Sequence, residues 1–110
     1  MNIHLTDKKC VACEGGVPPL NSEQVSAYSV QVPEWKIAPD LKSISREFAF
    51  KDFKEAMAFA NKIGDLAEEE GHHPDLTVGW GKVGVHLTTH AIGGLSENDF
   101  IMAAKVDLLQ

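Results

Sequence analysis

Three histidines, His72, His73 and His90, fall in a stretch that also carries Glu68, Glu69, Glu70, Gly71, Pro74, Trp80 and Asp99. Imidazole titrates near neutrality, so a set of them can both give and take protons without a metal. The chemistry suited to such a set is general acid–base catalysis, in which a ring gives or takes a proton at a reacting group. Gly71 is a natural helix stop and Pro74 biases His73 toward an extended backbone, so the His72-His73 pair sits in a short, restricted link. The negative end of the preceding helix and its glutamates would complement a protonated imidazole there. Plainer readings stand beside this one. Histidines at a helix C-terminus can simply complement its dipole in a solvated turn. A metal site built from His72, His73 and His90 with Glu68 is a further alternative, although consecutive histidines rarely point the same way. Glu69 and Glu70 read as a solvated helix end, and Trp80 serves packing as readily as ligand stacking.

The elements that must position these residues follow from periodicity and capping. Asn21 with Gln24 three residues on forms a helix start, with Leu20 placed to pack on Val25, and predicts a short helix over 22–29 closed by Pro33. Strands are expected at 35–37 and 43–50, separated by Pro39 and Asp40, with Ile44, Phe48 and Phe50 on one face. Asp52, with Glu55 at the third helical position, starts a long helix reaching Glu70, whose apolar stripe is Phe53, Met57, Ala60, Ile63 and Ala67. Leu76, Val78 and Trp80 alternate, as do Val83, Val85 and Leu87, a hairpin pattern with Gly81 and Lys82 at the turn. That register would set His90 opposite His73, with β-carbons about 4.5 to 5.5 Å apart. By parity His90 and His86 would point away from the core, toward an open face. Ser96 starts a last helix, with Asp99 in the capping-box position and Phe100, Ile101, Ala104 and Leu108 as its apolar side. The order α-β-β-α-β-β-α predicts an α+β fold, a four-stranded antiparallel sheet with helices on one face.

The chain has 110 residues, and 44% of them are hydrophobic, which suits one domain with a modest core; we place it at 20–110, after an irregular arm at 1–19. Ten Lys and Arg against sixteen Asp and Glu leave a net charge of -6, which argues against nucleic acid and against anionic membranes as partners. Apolar runs fall well short of the roughly 20 residues a membrane span needs, and the N-terminus lacks an apolar signal core, so a soluble cytoplasmic protein is expected. Cys10 and Cys13 form a Cys-x-x-Cys pair, followed by Gly15-Gly16-Val17-Pro18-Pro19 rather than by a helix. With no second such pair to complete four ligands, a reduced pair in the arm is the expectation and a zinc shared between subunits the alternative.

Taken together these residues resemble the pterin-4a-carbinolamine dehydratases, a family whose bifunctional animal members also act as dimerisation cofactors of a homeodomain transcription factor. The resemblance rests on Glu68, His72-His73-Pro74, Trp80, His90 and Asp99, and extends through Phe48-Ala49-Phe50-Lys51-Asp52-Phe53 with Ala56, and through Gly94-Leu95-Ser96. The Cys-x-x-Cys-x-Gly-Gly arm looks like that of bacterial members. The resemblance implies dehydration of a 4a-hydroxytetrahydropterin to the quinonoid dihydropterin, in tetrahydropterin recycling after aromatic amino-acid hydroxylation. It implies His72, His73 and His90 as the active centre, Glu68 as a supporting, substrate-side carboxylate, and no metal or other cofactor, the pterin being the substrate. Within that set we expect His72 and His90 to exchange protons, His73 to hold the pterin, and Asp99 to cap its helix without touching substrate. His86 has no counterpart and is expected at the surface. Sheet edges predict a homodimer or a tetramer of dimers. Other expected readings are a noncatalytic dimerisation or regulatory module and a molybdopterin-related role.

Overall fold

The structure is a computed structural model describing residues 4–11 and 17–110. Three helices, α1 (Ser22–Ser29), α2 (Phe53–Glu70) and α3 (Glu97–Asp107), pack with four strands, β1 (Lys36–Ile37), β2 (Ile44–Ala49), β3 (Asp75–Gly79) and β4 (Lys82–Leu87). Every pairing is antiparallel, and the spatial order β1-β2-β4-β3 joins the two expected hairpins side by side through β2 and β4. The α+β arrangement is thus the one the sequence predicts. Val83, Val85 and Leu87 of β4 and Ile44 and Phe48 of β2 are buried beneath the helices. Ser45, Glu47, Thr77 and His86 line the other face, which remains open as a polar depression of about 580 Å³.

The caps explain where the helices begin. The Asn21 side chain accepts from the Gln24 N–H at 2.9 Å, and Gln24 Oε1 accepts from the Asn21 N–H at 2.9 Å, a reciprocal box that satisfies two otherwise unpaired donors. Asp52 Oδ1 accepts from the Glu55 N–H at 2.9 Å at the start of α2. Gly71 ends α2 at φ 68°, a left-handed conformation open to glycine at little cost, with its N–H bonded to the Ala67 carbonyl.

The stripe of α2 differs from the expected one. Phe53 and Met57 are exposed, and the buried line runs through Ala56, Phe59, Ala60, Ile63, Ala67 and Glu70. The cause is aromatic: Phe59 packs 4.9 Å from both Phe48 and Phe50, which turns the helix toward that side. Glu70, expected in solvent, is instead buried at the foot of the helix. Helix α3 is enclosed on more than one side, with Phe100 to Ala104 and Val106 all buried, whereas Leu108 lies beyond the helix end and is exposed. A short 3-10 turn at Leu5–Asp7 precedes the helices, and Leu5, 1% exposed, enters the core. Burial of one such side chain stabilises by about 1.5–3 kcal/mol.

Candidate active site

The turn between β3 and β4 sets the end of the hairpin at which the histidines gather. Gly79 pairs with Lys82, so Trp80 and Gly81 are the central residues, one position earlier than the pattern predicts. Gly81 takes φ 76° and its carbonyl accepts from the Phe50 N–H at 2.7 Å, which leaves Lys82 to begin the strand. Asp75 therefore faces His86, and His90 has no cross-strand partner in His73. His90 is not in β4 at all. It opens a 3-10 turn, His90–Ile92, that Gly93 closes at φ 69°. Trp80 sits at the tip of the hairpin, 74% exposed, and packs against nothing in the core.

The turn nevertheless returns His90 to the other two. Gly71, His72 and His73 from the end of α2, with Thr88, Thr89, His90 and Ala91 from the end of β4, line one cleft of about 250 Å³. The roomier depression on the open sheet face contains His86 and none of these three. Its lining mixes Glu34, Glu47 and Asp75 with Lys36 and Arg46, so volume there brings no convergent set of proton-transfer groups. His86 is exposed, with Nδ1 3.7 Å from Asp75 Oδ2.

Two carboxylates hold two of the rings. His72 Nε2 lies 2.6 Å from Asp99 Oδ1, and the His72 side chain is only 12% exposed. Asp99 is fully buried; its Oδ2 accepts from the Ser96 N–H at 3.0 Å and from Thr89 Oγ1 at 2.8 Å. Thr89 Oγ1 also lies 2.7 Å from Ser96 Oγ. The expected capping role of Asp99 is present, and the same carboxylate also orients a histidine. With Asp99 ionised, its oxygen accepts the Nε2 hydrogen and leaves Nδ1 of the neutral ring as a base, the role an oriented imidazole serves in acid/base sites. Glu68 Oε2 lies 2.5 Å from His73 Nε2, with both side chains well exposed. Among the described residues no three His, Cys, Asp or Glu side chains are grouped so as to hold a metal ion.

Sequence reasoning passes over Thr89 and places Glu70 in solvent. A signal existed for Glu70, which follows Ala67 by three residues and so continues the three- and four-residue spacing of the stripe; Thr89 had none. Glu70 accepts from Lys105 Nζ at 2.7 Å and from the Cys10 N–H at 2.9 Å. Burial opposes its ionisation, yet Lys105 and the Cys10 N–H outweigh this and hold its carboxyl below the ordinary carboxylate value. Cys10 is a free thiol whose Sγ donates to the Asn98 carbonyl at 3.7 Å. Burial first, and the adjacent Glu70 charge second, push that thiol up to about 12. Cys13, the other half of the Cys-x-x-Cys pair, lies outside the described residues.

The chain belongs to the family described as pterin 4 alpha carbinolamine dehydratase, whose model matches residues 18–109. A relative from Methylococcus capsulatus, provisionally named pterin-4-alpha-carbinolamine dehydratase, is 51% identical over 105 residues, covering 96% of this chain and 92% of its own. One from Alkaliphilus metalliredigens, provisionally given the same name, is 53% identical over 108 residues, covering 97% and 96%. Among solved structures, a transcriptional coactivator/pterin dehydratase from Brucella melitensis superposes with a TM-score of 0.77 at 30% identity, over 83% of this chain and 97% of that one. A pterin dehydratase-like protein described as a RuBisCO assembly factor in the alpha-carboxysome superposes with a TM-score of 0.60 at 27% identity, over 69% and 88%.

Proposed function

We propose that this protein is a hydro-lyase that removes water from 4a-hydroxytetrahydropterin to form quinonoid dihydropterin, in tetrahydropterin recycling. The observation that carries the reading is the convergence of His72, His73 and His90 on one cleft, with His72 backed by a buried carboxylate. His90 protonates the 4a-hydroxyl, the C4a–O bond breaks, and water leaves. His72 Nδ1 takes the N5 proton, and the N5 electron pair forms the C4a=N5 double bond. Atoms and charge balance without oxidation, so the step asks for neither a redox cofactor nor a metal. Asp99 stabilises the His72 imidazolium that forms, as a buried carboxylate does behind a histidine base. His73, held by Glu68 at the rim, binds the pterin. The reading includes a cytoplasmic location, a homodimer or a tetramer of dimers joined through sheet edges, and a functional link to an aromatic amino-acid hydroxylase.

A second reading, a noncatalytic binding module, is favoured by one observation: a protein of this fold is described as an assembly factor. The histidine set of the present chain favours catalysis. The deciding experiment is the rate of water loss from freshly generated 4a-hydroxytetrahydropterin, with the parent beside a folded His73→Ala, His90→Ala double variant. Acceleration by the parent, insensitive to chelator and abolished in the variant, supports the dehydratase. A parent that leaves the spontaneous rate unchanged overturns it and puts the binding module first.

A further inference from the structure

The N-terminal arm crosses the ends of two helices at the points where the site begins. At Cys10 the main-chain N–H donates to Glu70 Oε1 at 2.9 Å, and Glu70 Oε2 is held in turn by Lys105 Nζ at 2.7 Å. At Val11 the main-chain N–H donates to Asn98 Oδ1 at 3.0 Å, while Asn98 Nδ2 donates back to the Val11 carbonyl at 2.5 Å. Upstream, Lys8 Nζ pairs with Glu97 Oε2, and the Leu5 side chain is buried. Glu70 is the last residue of α2 and Asn98 the second of α3. His72 follows Glu70 by two residues, and Asp99 follows Asn98 directly. Adjacent residues of one strap therefore grip the two helix ends that carry the two halves of the His72–Asp99 pair.

We infer that this strap positions the His72–Asp99 pair, and that Asn98 is a positioning residue acting through it. The pair joins elements 27 residues apart in the chain, so its 2.6 Å contact depends on how the end of α2 sits against the start of α3. A side-chain amide that accepts from the N–H and donates to the C=O of one residue fixes distance and rotation together, as a ladder pair does in a sheet. The Glu70 carboxylate fixes the other side, and its burial with Lys105 leaves it little freedom to follow a moving arm. Misplacement of a reacting group by about 1 Å can cost about a hundredfold in rate, so a device that holds this gap has catalytic consequence. The strap lies before residue 18, where the family model begins, yet the two bacterial relatives align over nearly all of this chain. The catalytic part of this inference rests on the proposed dehydratase; the geometric part does not.

Asn98→Ala removes the amide that grips Val11, and Val11→Pro removes the main-chain donor and restricts the backbone at Cys10 and residue 11, so both grips of the strap are disturbed while the side chain it replaces is exposed. Val11→Ala keeps the main chain intact and serves as the conservative partner. In full-length protein, hydrogen exchange of the His72 ring Nε2–H by NMR reports the pair directly, beside kcat, KM and the pH profile of kcat. Asn98→Ala and Val11→Pro, each with cooperative melting, are expected to speed that exchange at least about tenfold and to lower kcat about tenfold with KM within about twofold, whereas Val11→Ala matches the parent. A lowered melting temperature with unchanged exchange and unchanged kcat profile in either folded variant overturns the inference and leaves the strap a stabilising tether. Should the parent show no dehydratase activity, the NMR exchange still decides the geometry, and the loss falls on the proposed function alone.

Discussion

At the scale of single residues, the site depends on a carboxylate whose two oxygens have different tasks. Asp99 Oδ1 faces His72 while Oδ2 caps α3 and takes the Thr89 hydroxyl. Asp99→Asn keeps the shape but presents an amide, which can donate where the carboxylate accepted and so favours the wrong tautomer of His72. We expect kcat to fall about a hundredfold, with a stability loss of about 1–3 kcal/mol from the disturbed buried bonds, measured by steady-state kinetics beside urea unfolding. A kcat within twofold of the parent would show that Asp99 serves the helix alone. Cys10 makes a second residue-scale prediction. A thiol pushed up to about 12 from an ordinary value of 9.0 has about a thousandfold less thiolate at pH 8. In a Cys13→Ser background, Cys10 should therefore alkylate about a thousandfold more slowly in the folded protein than after denaturation. Rapid labelling under native conditions would mean that the thiol is neither buried nor held beside Glu70.

At the scale of elements, α2 does most of the positioning. Its stripe lays it on the sheet, Gly71 stops it, and Glu70 ties its end to α3 and to the arm. Glu70 has a carboxyl held below its ordinary value of 4.5, in spite of burial, by Lys105 and the Cys10 N–H. A carboxyl lowered on folding stabilises the native state fully above its unfolded value and loses that contribution as pH falls through the folded one. Unfolding by urea across pH 3 to 7 should therefore show Glu70→Gln less stable than the parent near neutrality, with the gap closing below about pH 4.5. A gap that stays constant with pH would deny the ion pair its part. Gly71 offers a gentler probe. A β-carbon there meets no atom within 4 Å, so Gly71→Ala strains only the left-handed backbone, at about 1–2 kcal/mol. We expect that melting shift together with lower kcat, because the same backbone turn aims His72.

At the scale of the whole molecule, the sheet is covered on one face and has β1 and β3 at its edges. Strand β3 runs five residues along one edge, Asp75–Gly79, immediately after the histidine link. Pairing of such edges between copies is the route to the expected homodimer or tetramer, and it would bring a second chain close to the cleft. Light scattering at micromolar concentration should give a multiple of the 12.0 kDa chain mass; a monomer alone would sink this expectation. No helix among the described residues is long and apolar enough to cross a membrane.

Local chemistry made much of this legible. Asn21, Asp52 and Gly71 mark helix ends through bonds spanning a few residues, and the two-residue alternation in Val83, Val85 and Leu87 defines a buried strand face, so these elements follow from the sequence by itself. The histidine motif is equally a matter of local spacing, and it carries the resemblance to the family without reference to the fold. What only the tertiary structure decided are relations between distant elements. The hairpin register depended on which residue could take a positive φ against the Phe50 main chain, and this moved His90 out of the ladder into a turn. The rotation of α2 depended on where Phe59 could meet Phe48 and Phe50. The partnership of His72 with Asp99, and the grip of Cys10 and Val11 on Glu70 and Asn98, join residues 27 to 87 positions apart. No periodicity encodes such contacts, because their geometry is fixed by the packing of whole helices against a sheet rather than by the residues between them.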